Sequence, residues 1–384
     1  MAEIKPDLDM FAKIKVVGCG GGGNSAVNRM VQSKIKGVDF ISVNTDIQAL
    51  QYSLAPTKVN IGKTITRGLG AGMDPEVARR SAEESQNEIK ELLKGADMVF
   101  ITAGMGGGTG SGSAPVIANI ARELGALTIA VVTKPFSFEG AKRMEVANGA
   151  MVELSKNVDT IITIPNDRIL QIVDKKTTIV EAFALADEIL KQGISGITEI
   201  ITTHGLVNVD FADVKKVMKN AGSALMGVGN ASGENKAVDA AKSAINSPLL
   251  EISIDGAKGI LFTVTGGPSL SMNEVNEAAK IVTESADPNA VIIFGAVIDP
   301  SMKDDIKVTV VATGFSDDKI NNVRPMSNNS QQNQGFFAGG TFKKSDIFVD
   351  NEKPEVKPSI DQSSVSTKDD ELDIPAFIRK KMGE

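Results

Sequence analysis

The sequence predicts an α/β protein: a doubly wound, mostly parallel sheet, a long central helix, a second α/β domain and a disordered C-terminal tail. Three observations carry that prediction. Up to about Lys176, short β-branched runs alternate with helical stretches, the pattern of a sheet with helices on both faces. Two strand ends run straight into glycine-rich segments, VVGCGGGGNSAVNRM (16–30) and GMGGGTGSGS (104–113). After Phe315 the composition turns polar and loses periodicity.

In chain order, residues 1–12 form an N-terminal extension; MAEIKPDLDMF is too acidic and too poor in apolar residues for a signal peptide. Residues 13–178 hold the strand candidates KIKVVG, DFISVNT, DMVFITA, LTIAVVT and DTIITIP. Each is apolar almost throughout, as buried parallel strands are. PEVARRSAEESQNEIKELLKG reads as one helix, with a proline near its start and a glycine just past its end. IVEAFALADEILKQGISGITEIIT (179–202) reads as the central helix, apolar round much of its circumference and so buried between domains. Gly193 and Gly196 weaken its second half. Residues 203–315 open with the loop THGLVNVDFAD and continue through the strands GILFTVTG, AVIIFGAV and IKVTVVATGF, with two helices. Residues 316–371, rich in Asn, Gln, Ser, Lys and Pro, cannot bury enough apolar area to offset their ordering entropy and read as a disordered linker. Residues 372–384, LDIPAFIRKKMGE, turn apolar and then basic, the layout of a tethered peptide that a partner captures rather than a frayed end.

Composition narrows the function. With 41 basic and 48 acidic residues the net charge is −7, and no basic stripe with interleaved aromatics appears, so a nucleic-acid partner is excluded. The single cysteine, Cys19, precludes an intrachain disulfide and fits a reducing compartment. The longest apolar runs, such as AVIIFGAV, fall far short of the roughly 20 residues that span a bilayer. A soluble, cytoplasmic protein without direct membrane insertion is expected.

Gly18, Gly20 and Gly23 follow a strand and precede a helix at GxGxxG spacing, the dinucleotide fingerprint. They support one reading, a Rossmann-type NAD-binding oxidoreductase. The strand-end acid such a site needs about 20 residues on is not clearly present; the second strand ends in Asn44-Thr45, with Asp46 just beyond. A dinucleotide also has no use for a second, denser glycine loop. A nucleoside triphosphate does, because its phosphates can be gripped from two sides. Both loops open helices, whose N–H groups and dipoles favour an anion. Gly62-Lys63-Thr64 lacks the upstream glycine of a P-loop, Thr57 standing there, so no P-loop lysine takes part.

GGGTGSG (106–112) matches the GGGTG[ST]G signature of the tubulin-like GTPases. NTDIQAL, RGLGAG, ADMVFITAGMGGGTG, VVTKPFSFEG, TIPND and NVDFADV, in this order, resemble the bacterial cell-division branch of that family over residues 13–315. LDIPAFIRKK is similar to its partner-binding peptide. The resemblance implies a Rossmann-like GTPase domain over 13–178 that converts GTP and water to GDP and phosphate when it polymerises. It implies GTP/GDP and Mg²⁺ as cofactors, and head-to-tail filaments that build the cytokinetic ring at the inner face of the membrane. Membrane-tethering and regulatory division proteins are the partners implied for 372–384. Gly21, Gly22, Gly23, Asn24 and Ser25 correspond to one phosphate loop, and Gly108, Thr109 and Gly110 to the core of the other. Glu139 and Arg143 fall beside ribose and phosphates, their i, i+4 spacing placing them on one helical face; alone they read as a surface ion pair. Asn166 and Asp187 correspond to the guanine-reading groups and Phe183 to the residue that packs on the base; an isolated Phe183 would read as core. Ser25, Ser113 and Cys19 are small departures from the family pattern.

None of these residues is a general base, and His204, the only histidine, lies in the loop after the central helix. Asp210 and Asp213 are the candidates, though acids at a helix start are also ordinary caps. If Phe183 and Asp187 place the start of a helix over 179–202 at the nucleotide, its far end lies about 36 Å from that start. Acids beyond that end must act on a neighbouring subunit's nucleotide, and a head-to-tail contact that does not close gives a filament. Mg²⁺ is expected on phosphate and water, since no all-protein cage is evident. A scaffold that binds nucleotide without hydrolysis is the third reading, and the two acids count against it. Cys19 is either a small loop residue or a thiol activated at a helix start.

Overall fold

The computed structural model describes residues 12–171, 173, 176–202, 205, 207, 209–248, 250 and 253–315. The predicted linker and tail peptide, His204 and most of the N-terminal extension lie outside these residues.

Ten strands join in one sheet of order β3-β2-β1-β4-β5-β6-β7-β10-β8-β9. The strands are β1 (Ile14–Cys19), β2 (Val38–Asn44), β3 (Thr57–Asn60), β4 (Met98–Gly104), β5 (Leu127–Lys134), β6 (Thr160–Pro165), β7 (Gly222–Ala231), β8 (Gly259–Gly266), β9 (Val291–Ile298) and β10 (Ile306–Thr313). The helices are α1 (Gly20–Gln32), α2 (Ile47–Gln51), α3 (Pro75–Glu84), α4 (Gln86–Leu93), α5 (Thr109–Glu123), α6 (Ala141–Asn157), α7 (Asn166–Ile169), α8 (Ile179–Thr202), α9 (Phe211–Met218), α10 (Lys236–Ile245) and α11 (Met272–Glu284). Among the described residues no helix is long and apolar enough to cross a membrane.

From β3 to β6 every pairing is parallel. Successive side chains on a strand point to opposite faces, so these runs are apolar on both. Val16, Phe100 and Ile129 pack with Met30 of α1 and Ile194 and Ile197 of α8. Val17, Ile101 and Ala130 pack on the other face with Leu93 of α4, Ile117 of α5 and Leu154 of α6. A third cluster covers the far end, where Ile260, Phe262 and Val310 meet Ala240 and Ala244 of α10 and Val282 of α11.

The sheet stays continuous because β7 has two partners. Its first residues, Gly222 to Ala224, pair in parallel with Thr160 to Ile162 of β6. Its remainder, Leu225 to Ala231, runs antiparallel to β10. β7 eluded the sequence reading because GSALMGVGNA is rich in glycine, which is depleted in strands. The glycines answer to packing: a Cβ at Gly227 or Gly229 would lie 2.0 Å from the Ala244 or Ala240 carbonyl oxygen. Only bare backbone lets α10 lie this close.

The central helix spans 179–202 as predicted. Its doubtful glycines sit where strands approach: a Cβ at Gly196 would lie 2.8 Å from the Thr309 methyl of β10, and one at Gly193 3.1 Å from the Met226 sulfur of β7. The stretch expected as one helix over 75–94 is instead α3 and α4, broken at Ser85. Its hydroxyl accepts the Gly62 N–H at 3.3 Å and ties the break to the loop after β3.

Candidate functional site

The strand order turns round between β1 and β4. In a doubly wound sheet the crevice outside the carboxyl ends of such strands is where ligands bind. Both glycine-rich segments end there. The N-terminus of α1 follows Cys19 and that of α5 follows Gly108, and neither cap residue offers a side-chain hydrogen bond. A helix start leaves four N–H groups without intrahelical partners, so two uncapped starts side by side make an anion site.

Glycine brings them together. A Cβ at Gly20, whose φ is +70°, would lie 2.8 Å from the Gly110 nitrogen; one at Gly110 would lie 3.2 Å from the Cys19 carbonyl oxygen. α5 starts inside the glycine-rich segment, at Thr109, so the last five residues of that segment, Thr109 to Ser113, are already helical. Gly21 and Gly107 differ from the packing glycines: both border the cleft, and a Cβ on either would meet no protein atom within 4 Å.

The cleft measures about 450 Å³. It gathers Gly21, Gly22, Gly108, Thr109, Gly110, Glu139, Arg143, Asn166, Phe183 and Asp187 from the sequence-predicted set. Three of that set stand behind or beside it. Gly23 is a packing residue, its would-be Cβ 2.4 Å from the Thr102 carbonyl oxygen. Asn24 is buried; with its amide oriented to suit its neighbours, it donates to the carbonyls of Gly18 (2.9 Å) and Gly20 (3.1 Å) and accepts from the Asn44 amide (3.2 Å). It therefore shapes the loop from behind. Ser25 is exposed on α1 away from the cleft wall.

One end of the cleft is built for phosphate-like anions. Besides the backbone N–H groups it has Thr109, whose hydroxyl lies 2.7 Å from that of Thr45 at the end of β2. Arg143 pairs with Glu139 at its side. The expectation that these two share one helical face is corrected here. Glu139 closes a 3₁₀ turn, Ser137–Glu139, and Gly140 at φ 100° separates it from α6, which carries Arg143. The pair bridges that junction, and the other Glu139 oxygen accepts the Phe136 N–H at 2.9 Å.

The other end suits a flat heterocycle with N–H donors. The Phe183 ring is 41 % exposed and held edge-on by the buried Phe136, with centroids 5.3 Å apart. The Asn166 side-chain oxygen is buried without a partner. Burial pushes the Asp187 carboxyl up to about 6, against the pull of the nearby Arg29 guanidinium. An orphaned acceptor and a desolvated carboxyl beside an aromatic face suit a ligand that brings its own hydrogen-bond donors.

Met73, Thr133, Ala186 and Leu190 also line the cleft and were not singled out from sequence. For Ala186 and Leu190 a signal existed: with Phe183 and Asp187 they share one helical face at i, i+3, i+4 and i+7. Met73 follows the RGLGAG motif and has no comparable periodic mark.

Asp210 and Asp213 are not in the cleft wall. Both are exposed beyond the far end of α8, where Asp210 caps α9 by accepting the Asp213 N–H at 2.8 Å. Cys19 is buried, which pushes its thiol up to about 12, so the activated-thiol reading fails for the folded protein. Among the described residues no group of three or more His, Cys, Asp or Glu could hold a metal ion.

Comparison with known proteins agrees with this geometry. Residues 13–174 match the model of the Tubulin/FtsZ family GTPase domain, and residues 222–316 that of the FtsZ family C-terminal domain. An FtsZ dimer from M. jannaschii, described as empty, superposes with a TM-score of 0.76 at 47% identity, covering 79% of this chain and 88% of that one. A point mutant of FtsZ from the same organism gives 0.77 at 46%, covering 79% and 92%. CetZ2 from Haloferax volcanii, in a GTPγS-bound protofilament, shares the fold at a TM-score of 0.69 and 21% identity, covering 80% and 96%.

Proposed function

Since the chain belongs to the tubulin/FtsZ family and is a GTPase, we propose that it assembles head to tail into filaments that build the cytokinetic division ring and hydrolyse GTP between subunits. The observation that carries this reading is the separation of two half-sites by the second half of α8. Phe183 and Asp187 in the first half of that helix and Leu190 at its middle border the cleft; Asp210 and Asp213 follow its other end, exposed. A single subunit has the grip and lacks the carboxylates. A second copy, stacked along the same axis, supplies them.

The cleft's chemistry divides accordingly. The N-termini of α1 and α5 hold the phosphates, with Gly21, Gly22, Gly108, Thr109 and Gly110 allowing close approach. Asn166 and Asp187 accept from the guanine N–H groups, Phe183 packs on the ring, and Glu139 with Arg143 flanks the sugar. Phosphoryl transfer is mostly positioning and electrostatics. The incoming Asp210 and Asp213 carboxylates orient a water and accept its hydrogen bonds as its oxygen bonds to the γ-phosphorus. The bond to the β–γ bridging oxygen breaks, leaving GDP and phosphate. Mg²⁺, when bound with the nucleotide, would supply positive charge against the phosphates; no residue of the cleft is assigned to hold it.

On this reading hydrolysis belongs to the polymer, near the cytoplasmic face of the membrane, with residues 372–384 taken by tethering and regulatory proteins. The dimer formed by the M. jannaschii relative supports self-association. The NAD-binding alternative loses its footing, because the family matched over residues 13–174 is that of a GTPase domain. Replacing the proposed in-trans acid tests the mechanism. Asp213→Ala is expected to bind GTP like the wild type and to lose turnover by about a hundredfold or more. Phosphate release at wild-type rate from the assembled variant would overturn the shared site.

A further inference from the structure

Asp167 has no role in the site as described, yet it joins the two segments that frame the nucleotide's sugar and base. It lies one residue after Asn166, at the carboxyl end of β6. One of its oxygens accepts the Ser137 N–H at 2.8 Å and the other accepts the Ser137 hydroxyl. Ser137 begins the 3₁₀ turn that follows β5, the turn that ends at Glu139. Immediately before it stands Phe136, which is buried and steadies Phe183. A half-buried carboxylate thus clamps two loops by both its oxygens, a geometry that fixes direction as well as distance.

We propose that Asp167 is a positioning residue of the nucleotide site: through Ser137 it sets the spacing between the Asn166 acceptor and the Glu139–Arg143 pair. This rests on the guanine-nucleotide reading of the cleft. The clamp bonds neither the glycine segments nor Asp213 and reaches the Glu139–Arg143 pair only through the backbone of the turn, so it acts on ground-state binding more than on the chemical step. Binding energy shared by ground state and transition state moves KM and not kcat.

The test uses the full chain and three variants: Asp167→Ala, Asp167→Asn and Ser137→Ala. GDP affinity is read by titration, kcat and KM for GTP on assembled protein, and melting temperature without nucleotide. Asp167→Ala is expected to weaken GDP binding and raise KM by about tenfold, with kcat and the nucleotide-free melting temperature near wild type. Asp167→Asn keeps one acceptor for the Ser137 N–H and offers an N–H to its hydroxyl, so it restores binding. Ser137→Ala keeps one of the two bonds and falls between. Wild-type affinity in Asp167→Ala overturns the proposal; so does equal loss in Asp167→Asn, which would make charge the cause, or a melting temperature that falls with affinity. Failure of the wild type itself to bind GDP would instead sink the guanine-nucleotide reading.

Discussion

The Asp187 carboxyl, pushed up to about 6 by its burial, changes charge within reach of ordinary buffers. Its ionised form is the better acceptor for paired N–H donors. Guanine-nucleotide affinity is therefore expected to rise as pH climbs through 6, with binding up to about tenfold weaker at pH 5 than at pH 7; calorimetric titration checks it. Asp187→Asn should flatten the profile, and an unchanged slope in that variant would assign the response to another group. The sign for folding is opposite. A carboxyl whose folded value exceeds its ordinary 3.8 favours the folded state most below that value, and the contribution is lost as pH rises through about 6. At this scale residue types and spacing marked Phe183, Asp187 and Asn166, but could not tell cleft-facing Gly21 from packing Gly23, because both are simply glycine.

Among elements, the starts of α1 and α5 separate two reasons for glycine that composition merges. A Cβ at Gly112 would lie 2.0 Å from the Pro75 carbonyl oxygen, where α3 crosses α5. Gly112→Ala is expected to cost about 3 kcal/mol of stability. Gly21→Ala meets nothing within the protein and sits in a helix, so it should raise the nucleotide-free melting temperature slightly, by up to about 1 kcal/mol of stability. It should also weaken nucleotide binding by roughly tenfold, about 1.4 kcal/mol. Chemical denaturation beside GDP titration distinguishes the two, and a Gly21→Ala protein that binds normally would refute the cradle. α8 was legible from its long apolar run, though Gly193 and Gly196 obscured its second half. β7 and the break at Ser85 were not, since one depends on glycines that yield to α10 and the other on a hydrogen bond to a distant loop. The 3₁₀ turn at Ser137–Glu139 escaped for the same kind of reason: its capping partners lie partly in another loop.

For the whole molecule, apolar side chains left exposed near the cleft matter as much as the cleft. Ile179 and Val180, adjacent at the start of α8, are 66 % and 78 % exposed. Such an apolar pair beside a cleft marks contact surface more often than solvent-facing decoration. Val180→Glu is expected to raise the protein concentration needed for assembly severalfold, while GDP affinity of the unassembled protein stays put. Sedimentation with GTP reads the first and titration the second; normal assembly would remove this face from the subunit contact. The sequence argues for a second copy from the length of one helix; the exposed pair that this prediction probes becomes visible only once the start of α8 is folded.

The dual pairing of β7 also bears on how the chain is made. β6 is completed early in synthesis, yet its outer edge has no partner until Gly222 has left the ribosome. Meanwhile Thr160 to Ile162 present open backbone to any passing strand, an invitation to mispairing. The long α8 emerges within that interval and can cover the adjoining apolar face, leaving only the edge to wait. In chain order, the free edge of β6 is closed only by this three-residue seam.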